Sequence, residues 1–168
     1  MMMNTTLNQL RQLKLDGLAI ALEEQLGQPG MTAMSFEERI ALLIDRETHH
    51  RNDRKLLRLL KNARLKYGQA TLEDIDSRAG RGIQRSDVMS LALGDWVTGG
   101  HSVLITGPTG AGKSWLACAL AQYACRRGHS ALYQRVPRMQ EELRIRHGSG
   151  AFGKWLLQQA RTFYLDTR

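Results

Sequence analysis

The feature that most constrains this chain is a glycine-rich run, Gly107-Pro-Thr-Gly-Ala-Gly-Lys-Ser114, which matches the pattern G-x-x-x-x-G-K-[ST] at every fixed position. An apolar stretch before it, residues 102–106, predicts a strand, and the apolar periodicity from Lys113 to Arg127 predicts a helix. In a strand–loop–helix, a glycine-rich backbone holds phosphate against the first turn of the helix. The run therefore predicts a nucleotide site in an α/β fold.

Each residue type in the run has a role in that chemistry. Glycines at 107, 110 and 112 let the backbone approach phosphate closely, Lys113 reaches the β- and γ-phosphates, and the Ser114 hydroxyl ligates Mg²⁺. The alternative, a glycine-rich turn with a chance lysine, does not explain why strand, loop and helix agree. The predicted nucleotide-binding residues are Gly107, Pro108, Thr109, Gly110, Ala111, Gly112, Lys113 and Ser114.

The chain after the loop continues to alternate between strand and helix patterns. Residues 130–134 predict a second strand and residues 163–165 a third, with helices at 138–147 and 154–161 between them. Such alternation is typical of a parallel α/β sheet.

The chain before the loop predicts helices. One begins near residues 4–6 and ends at the Gly27-Gln-Pro-Gly30 turn. A second begins at Ser35, where Glu38 completes a capping box, and extends to about Lys66. Residues 68–100 form a connector with a short helix at 87–93. We therefore predict a helical region over 1–67, a connector over 68–100 and part of an α/β domain over 101–168.

Positive charge is concentrated in the second helix. The formal net charge is +8, and residues 46–66 are rich in Lys and Arg with only Glu47 and Asp53 as acids. A solvated helix face is one interpretation, and a surface that contacts DNA phosphates is the other, since few acids separate the cations. The candidate DNA-contacting residues are Arg51, Arg54, Lys55, Arg58 and Lys61.

Other features of the sequence indicate the cellular compartment of the protein. Cys118 and Cys125 lie seven residues apart on one predicted helix, too far along its axis to bridge, and indicate buried thiols in a reducing compartment. No signal peptide or membrane-spanning run is present, so we expect a cytoplasmic protein that does not bind membranes.

The chain resembles the IstB-like ATP-binding proteins, AAA+ helper ATPases of one class of bacterial insertion sequences that are related to the DnaC helicase loaders. The likeness extends over nearly the whole chain. The matching segments are Leu13-Lys-Leu-Asp-Gly-Leu18, Ser35-Phe-Glu-Glu-Arg39, Leu42-Leu-Ile-Asp-Arg-Glu47, Glu73-Asp-Ile-Asp76, Gly94-Asp-Trp96, Ile105 through the loop to Trp115, and Tyr133-Gln-Arg-Val-Pro137.

The resemblance implies an AAA+ domain that binds ATP with Mg²⁺, contacts double-stranded DNA, forms a homo-oligomer when full length, and assists a partner transposase in selecting its target. It also implies that Asp166 is the first acid of the magnesium site and that Thr167 occupies the place of the second. The sensor strand, arginine finger and lid of such ATPases would follow Arg168. We therefore expect a truncated ATPase domain that holds nucleotide without hydrolysing it at a useful rate.

Two other functions fit the same residues. One is a DnaC-like loader of a replicative helicase, from the same superfamily. The other, from a different class, is a DNA-binding module whose ATPase remnant no longer works. A transposase partner would favour the first interpretation, a helicase partner the second, and DNA binding independent of nucleotide the third.

Overall fold

Helices dominate the computed structural model, which describes residues 2–75, 83–101, 103–159 and 162–167. The chain divides into two compact units, residues 1–55 and residues 56–168. The division predicted at residues 67 and 100 stays a prediction. Within the described ranges, none of the helices is long and apolar enough to cross a membrane.

The first unit contains three helices. They are α1 (Met2–Gln12), α2 (Asp16–Gly27) and the start of α3 (Phe36–Ala63), with a 3₁₀ helix at Pro29–Ala33. The prediction of one continuous helix from residues 4–6 to residue 26 was wrong, because the chain turns at Lys14, whose φ is +60°. Leucine periodicity continues through this turn, so one left-handed residue leaves no trace in the pattern.

The predicted capping box at the start of α3 is confirmed. The Ser35 amide donates to Glu38 Oε2 at 2.8 Å, and the Glu38 amide donates to Ser35 Oγ at 3.2 Å. Hydrogen bonds from the Ser35 backbone and hydroxyl lower the pKa of Glu38. This exchange satisfies donors at the open end of α3 and fixes where that helix begins.

Helices α2 and α3 come unusually close at Gly17. A Cβ atom built there would lie 2.6 Å from His50 Cβ and 2.9 Å from the Glu47 Cα. One of those obstacles is backbone, so a side chain at position 17 would force the two helices apart. This glycine therefore sets the separation of α2 and α3 in the first unit.

The second unit is organised around helix α6 (Lys113–Arg126). One side of it packs with Trp96, Ala70 and Leu72, and the other packs with Ala63 and with Leu56, Leu59 and Leu60 of α3. The other helices of this unit are α4 (Arg85–Leu93), α5 (Asp95–Thr98), α7 (Val136–Gly148) and α8 (Phe152–Gln159).

The short helix predicted at 87–93 is confirmed within α4, and the one at 138–147 within α7. The predicted helix at 154–161 corresponds to α8, with its last two residues outside the described ranges.

Two strands form a parallel pair, β1 (Ala131–Arg135) and β2 (Phe163–Thr167). Ala131 is opposite Phe163 and Gln134 is opposite Asp166. The second and third predicted strands are confirmed by this pair. It is a two-stranded sheet within the described residues.

The strand predicted before the loop was wrong for its described residues. Residues 103–106 are not assigned to a strand, and Ser102 lies outside the described residues. Val103 and Ile105 pack against the core that contains Leu116, whereas Leu104 is 87% exposed. This inward and outward alternation is strand-like, but a strand also needs a paired neighbour. Here β2 pairs with β1, and the described segments place no strand beside 103–106.

Candidate functional site

The glycine-rich loop has the backbone conformation that its glycines predict. Gly107, Gly110 and Gly112 have φ values of +150°, +85° and +88°, a region that side chains disfavour. A Cβ at Gly110 or Gly112 would meet no atom within 4 Å, so the loop is open on its outer side. The glycines are needed for the backbone path, and they leave room for a bound group.

Helix α6 begins directly at the loop, at Lys113. Its N-cap residue, Gly112, supplies no side-chain hydrogen bond, so no capping side chain competes for the amides of the first turn. Those amides carry the partial positive charge of the helix end, where an anion is stabilised. The buried middle of α6, including Ala119 and Leu120, fixes the helix in the core. The arrangement fits a phosphate group.

Lys113 is held by the loop itself. Its Nζ donates to the Gly107 carbonyl and to the Pro108 carbonyl, each at 2.8 Å. The ammonium group therefore closes the loop on itself. A phosphate that entered would offer anionic oxygens, which accept stronger hydrogen bonds than neutral carbonyls.

The two residues predicted to hold Mg²⁺, Ser114 and Asp166, lie on different elements of the second unit. Ser114 is half-buried in the first turn of α6. Asp166 lies in β2 opposite Gln134. Among the described residues, no cluster of three or more His, Cys, Asp and Glu could hold a metal ion. The hydroxyl and the helix end fit a magnesium nucleotide, and the role of Asp166 stays a prediction.

The basic residues of α3 fall into two sets. Arg51 Nε lies 2.6 Å from Glu47 Oε1, and Arg54 Nη1 lies 3.1 Å from Asp16 Oδ2. We call the five candidate residues the basic stripe; they are Arg51, Arg54, Lys55, Arg58 and Lys61. Its cations were expected to have few acids nearby, and for Arg51 and Arg54 that expectation was wrong. One acid lies a turn earlier on α3 and the other at the start of α2, and the second pairing is 38 residues distant in sequence.

The remaining members of the stripe are Lys55, Arg58 and Lys61, all exposed. They recur at three-residue intervals on α3. Neither a salt bridge nor a side-chain hydrogen bond is found for them within the described ranges. These three cations, which we call the open cations, are the part of the stripe available to an external anion.

Glu47 explains why Arg51 is not available. Its side chain is only 10% exposed and accepts a hydrogen bond from the Leu18 amide at 3.0 Å as well as from Arg51. Burial raises the pKa of Glu47, but hydrogen bonds from Arg51 and from the Leu18 and Gly17 amides outweigh it, and the net pKa is lowered. Glu47 thus caps α2 from α3. Sequence reasoning missed this, because nothing in the α3 pattern distinguishes Glu47 from a solvated acid.

Replacing Glu47 with Gln is expected to destabilise the chain by about 1–2 kcal/mol at neutral pH, since charge-assisted bonds become neutral ones. A carboxylate whose pKa is lowered in the folded state contributes its full stabilisation of the fold at pH values above its usual pKa of 4.5. This contribution is lost as the pH falls through the lowered pKa. Thermal melts at several pH values should therefore converge for the native chain and Glu47→Gln in acid. Glu23→Gln, which breaks the exposed Arg11 pair, is the control. Equal losses from both variants at neutral pH would contradict the capping role.

An extended apolar segment, a glycine-rich loop and an uncapped helix end together have the form of a phosphate-binding-loop protein. Comparison with known families agrees with this class. The model of the family described as IstB-like ATP binding protein matches residues 8–165. The chain belongs to the IstB-like ATP-binding protein family.

Individual relatives are named for insertion sequences and ATP binding. A Pseudomonas fluorescens protein of insertion sequence IS1162 is 53% identical over 161 residues, which are 96% of this chain and 70% of that protein. A Sinorhizobium fredii insertion-sequence protein is 42% identical over an alignment that covers 92% of this chain and 62% of that protein. A Mycobacterium tuberculosis protein is 30% identical, covering 94% and 62% respectively. The chain thus spans between three fifths and three quarters of these relatives.

Proposed function

We propose that this protein is an ATP-binding helper of DNA transposition, which binds duplex DNA and assists a partner transposase in target selection. The observation that carries the proposal is the glycine-rich loop at the uncapped start of α6, in a chain whose relatives are named for ATP binding and insertion sequences. Assembly into a homo-oligomer belongs to the same proposal. Nucleotide hydrolysis by these residues stays a prediction.

The nucleotide site in this proposal is the loop from Gly107 to Ser114. Backbone amides of the loop and of the first turn of α6 would hold the phosphates, and Lys113 would exchange its two carbonyl partners for phosphate oxygens. The Ser114 hydroxyl, with Asp166, would hold Mg²⁺. The metal would neutralise phosphate charge when bound.

The DNA surface in this proposal is the exposed side of α3, where Lys55, Arg58 and Lys61 lie without an intramolecular partner in the described structure. Lysine and arginine along a helix bind phosphates by displacing counterions and read little sequence. The surface therefore suits a helper that must accept many target sequences. Residues 51 and 54 have the acidic partners described above.

Partner retention tests the proposed role. With duplex DNA and ATP–Mg²⁺, the immobilised chain is expected to retain the transposase encoded by the same insertion sequence, because family members are named for such elements. Lys113→Ala should reduce retention, since it weakens nucleotide binding. A replicative helicase is the matched competitor in a parallel experiment. Retention of the helicase in place of the transposase would contradict the proposal.

A further inference from the structure

The ion pair between Arg54 and Asp16 differs from its neighbour between Arg51 and Glu47. The Arg54 side chain is 64% exposed and that of Asp16 is 39% exposed, with one 3.1 Å contact between them. Glu47, by contrast, is nearly enclosed and also caps the amides of α2. Exposed single-contact pairs contribute little to stability, so the first pair can exchange partners at small cost.

Arg54 also lies on the same side of α3 as the open cations. It precedes Arg58 by four residues and Lys61 by seven, spacings that return to one helix face. A DNA backbone held by the open cations therefore comes within reach of the Arg54 guanidinium. That guanidinium already binds a carboxylate, which is an anion like phosphate but carries fewer acceptor oxygens.

We propose that Asp16 is an intramolecular competitor of the DNA backbone for Arg54. The carboxylate occupies the guanidinium in the free protein and must be displaced before Arg54 can bind a phosphate. This lowers the affinity of α3 for DNA, and it lowers the number of phosphates bound at equilibrium. The inference rests on the proposed DNA surface of α3, which it deepens by naming an acid that restrains it.

The consequence is specific to Arg54. Arg51 stays with Glu47, because its departure would leave a nearly enclosed carboxylate without its charged partner. The stripe of five cations then consists of three open cations, one that Asp16 restrains and one that is structural. Charge alone does not distinguish these five side chains, whereas their partners do.

The test is Asp16→Asn, which removes the competing charge. We expect affinity for a random-sequence duplex at about 0.1 M salt to rise roughly two- to fivefold, the range that the free energy of an exposed ion pair implies. Fuller occupancy of a phosphate contact by Arg54 should steepen the plot of log K against log salt by up to about 0.9. Thermal melts of the variant check that α2 remains folded.

Glu24→Gln is the matched control. It makes the same charge change on the same helix and also breaks an ion pair to α3, with Arg46 at 3.2 Å. Arg46 lies about 12 Å before Arg54 along the helix axis and roughly 80° away around it. Equal affinities and slopes for Asp16→Asn and Glu24→Gln would overturn the competitor role while leaving the DNA surface intact. Absence of any DNA binding that depends on the open cations would overturn the proposed surface, and the inference with it.

Discussion

ATP–Mg²⁺ is expected to raise the thermal stability of the native chain, and Lys113→Ala is expected to abolish most of that gain. A ligand that binds only the folded state stabilises it by about 2.7 kcal/mol at a hundredfold excess over Kd. For a chain of this length, that corresponds to roughly 5–10 °C in melting temperature. The variant loses the ammonium group that bonds to the loop carbonyls of Gly107 and Pro108 and that a phosphate would attract. Melts over an ATP–Mg²⁺ titration measure the effect.

Lys113 also donates hydrogen bonds to the carbonyls of Gly107 and Pro108, so its replacement can change the melting temperature of the unliganded chain. The shift caused by nucleotide is therefore measured against the same variant without nucleotide. Lys154→Ala, at an exposed position on α8, controls for loss of one positive charge. The native chain and Lys154→Ala should show the same shift with nucleotide. If Lys113→Ala shifted equally with them, the loop would not be the nucleotide site.

Replacing the open cations together, Lys55→Gln with Arg58→Gln and Lys61→Gln, is expected to flatten the salt dependence of DNA binding. Each phosphate contact contributes about 0.9 to the slope of log K against log salt, so the slope should fall by up to about 2.7. At about 0.1 M salt this corresponds to a loss on the order of a hundredfold in affinity. Binding of a fluorescent random-sequence duplex over a salt series measures both quantities.

The control for this triple variant removes three exposed cations elsewhere, at Arg135, Arg144 and Lys154. It has the same net charge as the test variant but an intact α3. A similar flattening in both variants would mean that DNA responds to overall charge. An unchanged slope in the test variant would indicate that the open cations form a solvated helix face that does not contact DNA.

The loop and the helix after it were predictable because their signals are local. Glycines at 107, 110 and 112 meet a backbone requirement that other residues satisfy poorly, and the Ser35–Glu38 box spans three residues. The break at Lys14 was not predictable, since leucines continue on both sides of it. Residues 103–106 show the opposite case, in which a correct apolar alternation has no neighbouring strand in the described part of the chain.

The partition of the basic stripe could not be read from the sequence. Arg51, Arg54 and Arg58 are equivalent by residue type and spacing. Arg51 has Glu47 one turn earlier on its own helix, whereas the packing of α2 on α3 near Gly17 brings Asp16 within reach of Arg54. The candidate nucleotide site depends on contiguous residues, whereas the candidate DNA surface depends on contacts between distant ones.

Leu104 is exposed on a segment that has no neighbouring strand among the described residues, and this has a consequence for how long the protein persists in a cell. An extended backbone that displays a large aliphatic side chain is what chaperones and quality-control proteases recognise in incompletely folded chains. Val103 and Ile105 fix one side of this segment to the core, which leaves the Leu104 side chain exposed on the other side. Cellular abundance of the protein would then depend on how quickly another β-strand covers residues 103–106.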